Sequence, residues 1–263
     1  MADAIWRLIL DGPVEGAMNM ALDRAVLDAH EAGAAAATLR LYWWEVPTVT
    51  LGRFQEIDQV DLDACAGRGF DVVRRPTGGR GVLHDRELTY SVVAGVRDGV
   101  PRGVAASYRH LSAALAAAYH RLGVPAELTA RPRGEAGAGA CYLHSTQADL
   151  SMGAAKLSGS AQVWHGDSVL QHGSFVISRN AVAEAEVFRL DPERAAVLER
   201  DTMTLDRAVA PTPSREEVAA AVTEAFADVL EVRFEPGSFD EAEWRTAVSD
   251  APSRRIRTAV RAE

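Results

Sequence analysis

A glycine- and arginine-rich turn is the feature of this sequence that most limits its fold. Residues 74–85 are RRPTGGRGVLHD, and they follow a short apolar segment at 70–75. Because Gly78, Gly79 and Gly81 carry no side chains, a ligand can approach the backbone there and contact its N–H groups. The arginines of the segment add positive charge suited to a carboxylate or a phosphate. The spacing matches neither GxGxxG nor the P-loop, so a plain hairpin and a ligand-binding loop are both open.

The order of the remaining elements predicts an α/β fold with a mixed, largely antiparallel sheet. Apolar periodicity predicts helices over 19–32, 60–68, 107–122 and 214–230, and strands over 70–75, 88–94, 156–163 and 168–177. Residues 38–51 are predicted to form two strands, one on each side of Pro47. Asn19, Ser107 and Ser214 are predicted to be N-caps of three of these helices. Regular βαβ alternation is absent from this order, which disfavours a doubly wound sheet. We expect one domain over residues 1–245 and a polar, mobile, arginine-rich tail over 246–263.

The composition excludes several classes of protein. A formal net charge of −9 disfavours a general nucleic-acid binder, because phosphate neutralisation requires a basic surface. The sequence has no apolar stretch of about 18 residues and no recognisable signal peptide, so we expect a cytoplasmic protein that does not span a membrane. Cys65 and Cys141 are too few for a disulfide framework or a zinc cage, and we expect no metal site.

Cys141 and Lys156 are the candidate catalytic pair. Lys156 is the only lysine in the chain, and the arginine-rich composition makes its retention notable, although chance retention explains it equally well. Cys141 follows the glycine-rich residues 131–140, where a side chain can be exposed to substrate. A lysine folded back beside it can take up the thiol proton and stabilise the thiolate. The alternative is a buried, inert cysteine, which is our interpretation of Cys65.

Two further segments contain candidate binding residues. KLSGSAQ at 156–162 has small side chains that leave room for a chain-like ligand, although an edge strand facing a helix would have the same pattern. QHGS at 171–174 interrupts an apolar strand with polar groups that need partners or a ligand. His84 and His172 are the favoured histidines, with a purely structural role as the alternative.

Several of these segments resemble one protein family. RRPTGGRGVLHDRELTYSVV at 74–93 strongly resembles the signature of the lipoate-protein ligase A and octanoyltransferase family. KLSGSAQ, LQHGS at 170–174 and NMALDRAV at 19–26 are similar to further family segments, with Arg24 where an acidic residue is usual. The resemblance implies a biotin/lipoate protein ligase-like catalytic domain, related in fold to the class II synthetases, over residues 1–245.

Within that family, the Cys141–Lys156 interval and Arg80 in place of a third glycine resemble the cysteine-dependent octanoyltransferases. This resemblance implies an acyltransferase of lipoate biosynthesis that takes an octanoyl group from acyl carrier protein as a Cys141 thioester. The acceptor would be a lysine of a lipoyl domain, with glycine-cleavage H protein as the expected partner. No cofactor would be required, and we expect a monomer. After Cys141, the run YLHSTQADL departs from that branch, which has Pro-Ser there.

The resemblance also assigns roles to individual residues. Lys156 would activate Cys141 and contact the acyl carbonyl. The expected substrate-binding residues are Arg75, Gly78, Gly79, Arg80, Gly81, Val82, Leu83, His84, Ser160, Gln162 and His172. The alternatives are an ATP-dependent lipoate-protein ligase that needs ATP and magnesium, an amidotransferase between two lipoyl domains, and a non-catalytic module that binds carrier proteins.

Overall fold

The computed structural model describes residues 4–129, 139–143 and 149–257, which form helices packed around three sheets. The helices are α1 (Gly16–Glu31), α2 (Leu62–Gly67), α3 (Val104–Arg121), α4 (Ala181–Val187), α5 (Pro192–Asp201), α6 (Leu205–Ala208), α7 (Arg215–Leu230) and α8 (Glu241–Arg254). The strands are β1 (Ala4–Val14), β2 (Thr38–Trp44), β3 (Thr48–Leu51), β4 (Asp71–Arg74), β5 (Val82–His84), β6 (Arg86–Gly95), β7 (Glu127–Leu128), β8 (Leu150–Met152), β9 (Ala155–Ser158), β10 (Ser160–His165), β11 (Ser168–Ser178), β12 (Val232–Pro236) and β13 (Arg255–Arg257).

The pairing of these strands confirms the predicted α/β class with a mixed, largely antiparallel sheet. The largest sheet has the order β10-β11-β6-β2-β1-β12. Its first four strands pair antiparallel, whereas β1 is parallel to β2 and to β12. A second sheet has the order β13-β4-β3-β5, and a third, antiparallel one has the order β7-β8-β9.

The strands β2, β6 and β11 of the largest sheet are mostly buried, and their side chains point alternately to its two faces. Tyr90 and Val92 of β6 belong to a core that also contains apolar residues of α3 and α7. Val93, which points to the other face, packs with Val26 and Leu27 of α1. Burying such side chains contributes roughly 1.5–3 kcal/mol each. The sheet is therefore a rigid support for residues that project from β6 and β11.

Of the three predicted N-cap residues, one is correct and two are wrong. Ser214 caps α7 as predicted, and its hydroxyl accepts a hydrogen bond from the N–H of Glu217 at 3.1 Å. Asn19 and Ser107 are not N-caps, because α1 begins at Gly16 and α3 at Val104. Inside α1, the Asn19 amide instead donates to the carbonyl oxygens of residues 14 and 43.

The proposed tail at residues 246–263 is wrong for residues 246–257, which are part of the fold. Helix α8 packs on α1 and buries Ala247 and Ala251, which share one face at i,i+4 spacing. Strand β13 then pairs with β4. Residues 258–263 and residues 131–138 of the glycine-rich segment 131–140 lie outside the described residues.

The predicted strand 156–163 is two strands that belong to different sheets. Strand β9 is in the third sheet and β10 is in the largest one, and Gly159 separates them. Strand β10 pairs antiparallel with β11. None of the helices formed by residues 4–129, 139–143 and 149–257 has the length and apolarity needed to cross a bilayer.

Candidate functional site

A pocket with a mostly apolar lining lies beside β11, between α1 and the glycine- and arginine-rich turn. Of the predicted site residues, those that line it are Cys141, Arg75, Gly79, Val82, His84, Ser160 and His172. Met20 and the aromatic side chains of Tyr42 and Trp44 form a wall that the sequence interpretation missed. Because Tyr42 and Trp44 are two residues apart on β2, their shared face was a usable signal.

Cys141 begins a short 3₁₀ turn that is joined to the glycine-rich turn by backbone hydrogen bonds. The Cys141 N–H donates to the Gly81 carbonyl at 2.7 Å, and the Gly81 N–H donates to the Gly139 carbonyl at 2.9 Å. A Cβ at Gly81 would lie 2.4 Å from the ring of Phe188. Gly81 is therefore required for this close approach, which places the partly exposed Cys141 at the pocket.

Lys156, which projects from β9, meets Cys141 although 15 positions separate them in the chain. Its Nζ lies 4.0 Å from Cys141 Sγ and 3.3 Å from the Cys141 carbonyl oxygen. The same Nζ forms an ion pair with Asp149 Oδ2 at 3.0 Å. The structure thus brings the predicted pair together and adds a carboxylate that the sequence interpretation missed.

Arg75 is buried within the glycine-rich turn. Its Nη2 donates to the carbonyl oxygens of Gly78, at 2.6 Å, and Arg80, at 2.8 Å. Burial lowers the pKa of Arg75 to about 10, and the charge of Cys141 acts in the opposite direction. These contacts fix the shape of the turn, and they place a cation close to Cys141.

His84 and Glu87 form a buried polar pair beside the pocket. The His84 ring stacks on Trp44 with centroids 4.2 Å apart, and its Nδ1 lies 2.6 Å from Glu87 Oε1. Burial raises the pKa of Glu87, but the charge of His84 and hydrogen bonds from His84, Thr89 and Ser174 outweigh it, so the pKa lies below its ordinary value. Both ring nitrogens of His84 therefore have a hydrogen-bonding partner, because Nε2 lies 2.9 Å from Thr50 Oγ1.

His172 joins a second polar group that is centred on Asp23 of α1. Its Nδ1 lies 2.9 Å from Asp23 Oδ2, and its Nε2 lies 2.7 Å from Thr77 Oγ1. Arg40 and Tyr42 donate to the same carboxylate at 2.9 and 3.0 Å. Burial lowers the pKa of His172, against the opposing hydrogen bond and charge of Asp23. The neutral imidazole therefore serves as a fixed part of the pocket wall.

Five predicted binding residues do not line the pocket: Gly78, Arg80, Gly81, Leu83 and Gln162. Gly78 and Arg80 act through their carbonyl oxygens on Arg75. Gln162 donates to Gln171 Oε1 at 3.1 Å and accepts from Ser107 at the same distance. These residues support the surfaces around the pocket.

Comparisons with known proteins agree over most of the chain. The model of the family described as "Lipoyl protein ligase A/B catalytic domain" matches residues 15–227. A relative named "Octanoyltransferase LipM" from Kyrpidia tusciae is 40% identical over 257 residues, covering 92% of this chain and 93% of the relative. The protein of the same name from Moorella thermoacetica is 37% identical over 250 residues, covering 90% and 91%.

Solved structures share the fold over nearly the same length. A lipoate-protein ligase A bound with ATP superposes with a TM-score of 0.78 at 25% identity, covering 94% of each chain. A chain from the structure of an archaeal bi-partite lipoate protein ligase and its E2 lipoyl domain, from Thermoplasma acidophilum, has a TM-score of 0.76 at 23% identity. That likeness covers 95% of this chain and 92% of the other, and it concerns the fold alone.

Proposed function

The chain belongs to the lipoyl protein ligase A/B catalytic domain family, and from this premise we propose that Cys141 carries an octanoyl group to a lipoyl-domain lysine. The protein is an acyltransferase of lipoate biosynthesis. The observation that carries the thioester mechanism is the position of Cys141 Sγ at an apolar pocket, 4.0 Å from Lys156 Nζ.

The lining of the pocket suits an aliphatic chain. An apolar wall is supplied by Met20, Tyr42 and Trp44. Gly173, which also lines the pocket, has no room for a side chain, because its Cβ would lie 2.6 Å from the Gly159 carbonyl oxygen. Burial of each methylene contributes about 0.8 kcal/mol to binding. A chain held along this wall would have its carboxyl carbon near Cys141.

In the first step, the Cys141 sulfur attacks the thioester carbonyl of an octanoyl group held by acyl carrier protein. A carbon–sulfur bond to Cys141 forms and the bond to the carrier sulfur breaks. The proton of the Cys141 thiol ends on the carrier thiol. Lys156 activates Cys141 because a cation beside the sulfur favours its thiolate, which is the nucleophile.

In the second step, a neutral lysine amine of a lipoyl domain attacks the acyl-Cys141 carbonyl, and glycine-cleavage H protein is the proposed acceptor. A carbon–nitrogen bond forms, the carbon–sulfur bond breaks, and one amine proton ends on the Cys141 sulfur. Exchange between thioesters is nearly neutral in free energy, and formation of the amide drives the transfer. The reaction therefore needs neither ATP nor another cofactor.

Mass spectrometry after incubation with octanoyl acyl carrier protein tests this mechanism. We expect an octanoyl adduct on the wild-type chain and none on Cys141→Ala. Cys65→Ala is the matched control, because Cys65 is fully buried in α2, and it should acquire the adduct. A Cys141→Ala protein that modifies the acceptor at the wild-type rate would exclude the mechanism.

The same preparation separates two other activities. Pyrophosphate release from ATP with free lipoate, unchanged in Cys141→Ala, would identify an ATP-dependent ligase. Transfer from an octanoylated lipoyl domain but not from acyl carrier protein would identify an amidotransferase.

A further inference from the structure

Asp149 and Lys156 form a buried ion pair next to the proposed nucleophile. The Nζ of Lys156 is 3.0 Å from Asp149 Oδ2, and the two side chains are only 2% and 6% exposed. The same Nζ reaches the Cys141 carbonyl oxygen and Sγ. An ammonium has three N–H donors, so it can contact the carboxylate and Cys141 at the same time.

The backbones on both sides of this ion pair are anchored. The Asp149 carbonyl accepts from the N–H and the hydroxyl of Thr129 at 2.8 and 3.0 Å. The Lys156 carbonyl accepts from the Met203 N–H at 2.8 Å. A Cβ at Gly159 would lie 3.1 Å from Lys156 Nζ and 3.5 Å from Asp149 Oδ1. The chain segments that carry the two charges are thus fixed, and the ammonium lies beside Cys141.

The charge at Cys141 changes during the proposed transfer, whereas the charge at Asp149 does not. The sulfur is negative as a thiolate and neutral as a thioester. A buried ammonium that loses its counter-charge is strongly destabilised. Asp149 supplies a negative charge in both states of the sulfur.

We propose that Asp149 is a positioning residue that keeps Lys156 charged and directed at Cys141 throughout the transfer, including the acyl-enzyme stage. This inference rests on the proposed function. It assigns Lys156 the role of a permanent hydrogen-bond donor to the sulfur and the acyl oxygen, which stabilises negative charge as it develops. Asp149 is proposed to act through Lys156, with which it forms an ion pair.

The first test uses the fact that Lys156 is the only lysine in the chain. In a full-length protein without lysines in its tag, lysine labelled at the side chain gives one NMR signal that reports protonation of Nζ. Alkylation of Cys141 with iodoacetamide makes the sulfur neutral, as in the acyl-enzyme. At about pH 8.5, well below the ordinary lysine range, we expect a charged ammonium in the alkylated wild type and a neutral amine in alkylated Asp149→Asn. A neutral amine in the alkylated wild type would overturn the inference.

The second test is the pH profile of Cys141 alkylation in unmodified protein. Asp149→Asn should shift its midpoint upward by about one pH unit, which corresponds to roughly tenfold slower alkylation at neutral pH. Lys156→Met should show the same loss, and Asp149→Glu should recover most of the wild-type rate. The matched control is Asp167→Asn, whose carboxylate is 66% exposed and paired with Arg102, and it should behave as wild type.

Four results separate this inference from its rivals. The double variant Asp149→Asn/Lys156→Met removes both charges and should be no slower than Lys156→Met alone. A wild-type alkylation profile in Asp149→Asn would overturn the role of Asp149. If that variant acquires the octanoyl adduct at the wild-type rate, the inference fails while the proposed function stands. If both tests succeed but the wild type never acquires the adduct, the proposed function fails instead.

Discussion

Two buried clusters of charged and polar side chains flank the same pocket, and they differ in what their polar atoms contact. The Asp23 cluster consists of Asp23, Arg40, Tyr42, His172 and Thr77, and its carboxylate accepts hydrogen bonds from three of the other members. The Cys141 cluster consists of Cys141, Asp149 and Lys156, and its cation faces a partly exposed sulfur. The polar atoms of the first cluster bond to one another and to neighbouring protein groups, whereas the second cluster keeps a nucleophile available to a ligand.

The position of each cluster in the fold corresponds to this difference. The Asp23 cluster links α1 to β2 and β11 at the centre of the largest sheet. The Cys141 cluster lies on a 3₁₀ turn and the short third sheet. Breaking the first should therefore reduce stability, and displacing the Lys156 side chain of the second without removing a charge should reduce activity with little change in stability.

The largest expected effect is on stability, in Asp23→Ala. Removing this carboxylate leaves Arg40 buried without one of its counter-charges, which costs about 3–5 kcal/mol. Asp28→Ala on the same helix is the matched control, since its Arg24 partner and the carboxylate are both partly exposed, and it should cost about 0.5 kcal/mol. Urea denaturation measures both. Equal losses would remove the distinction between a structural cluster and an ordinary surface pair.

Gly159→Ala should show the reverse pattern, with lost activity and retained stability. The added Cβ would lie 3.1 and 3.2 Å from Nζ and Cε of Lys156. Lys156 must shift by a few tenths of an ångström. Because a displacement of about 1 Å can slow a reaction roughly 100-fold, we expect activity to fall about tenfold. The free energy of unfolding should change by less than about 1 kcal/mol, because a side-chain end can shift. Gly12→Ala is the control, with nothing within 4 Å of its Cβ, and full activity in Gly159→Ala would contradict the proposed role of Lys156.

Local patterns predicted the fold class and part of the Cys141 cluster. The Ser214–Glu217 capping box could be predicted because each contact lies within one helical turn. Cys141 and Lys156 could be proposed because their residue types suit thiolate chemistry and their interval resembles a known family. Asn19 was assigned incorrectly because a residue that favours N-caps also suits a buried site with several polar partners, which only the tertiary structure supplies.

The features that the sequence did not predict depend on contacts between residues that are distant in the chain. Asp149 becomes a partner of Lys156 only once the β8–β9 register is known. Residues 246–254 of α8 were predicted to be part of a tail because most of them are polar. The side chains that α8 buries are Glu243, Ala247 and Ala251. The strand at 156–163 was predicted to be continuous because its division at Gly159 depends on which sheet each half joins.

The smallest expected effect is a pH dependence of stability that arises from the Asp23 cluster. Because burial lowers the pKa of His172, the folded chain binds this proton less readily than the unfolded chain, where histidine titrates near about pH 6.5. The contribution of His172 to stability is therefore complete above about pH 6.5 and decreases as the pH falls below it, by at most about 1.4 kcal/mol per pH unit.

Denaturation of the wild type and His172→Gln between roughly pH 7.5 and 5.5 measures this slope, above the range where most carboxylates titrate. The groups that act on His172 are Asp23, Arg75 and His84, and all three remain in the variant. The wild type should lose more stability across this interval than His172→Gln does. The control His165→Asn changes a histidine whose side chain is 48% exposed, and its slope should equal that of the wild type. Equal slopes in the wild type and His172→Gln would mean that protonation of His172 does not lower the free energy of unfolding. The hydrogen bonds of the Asp23 cluster would then not distinguish it from the Cys141 cluster.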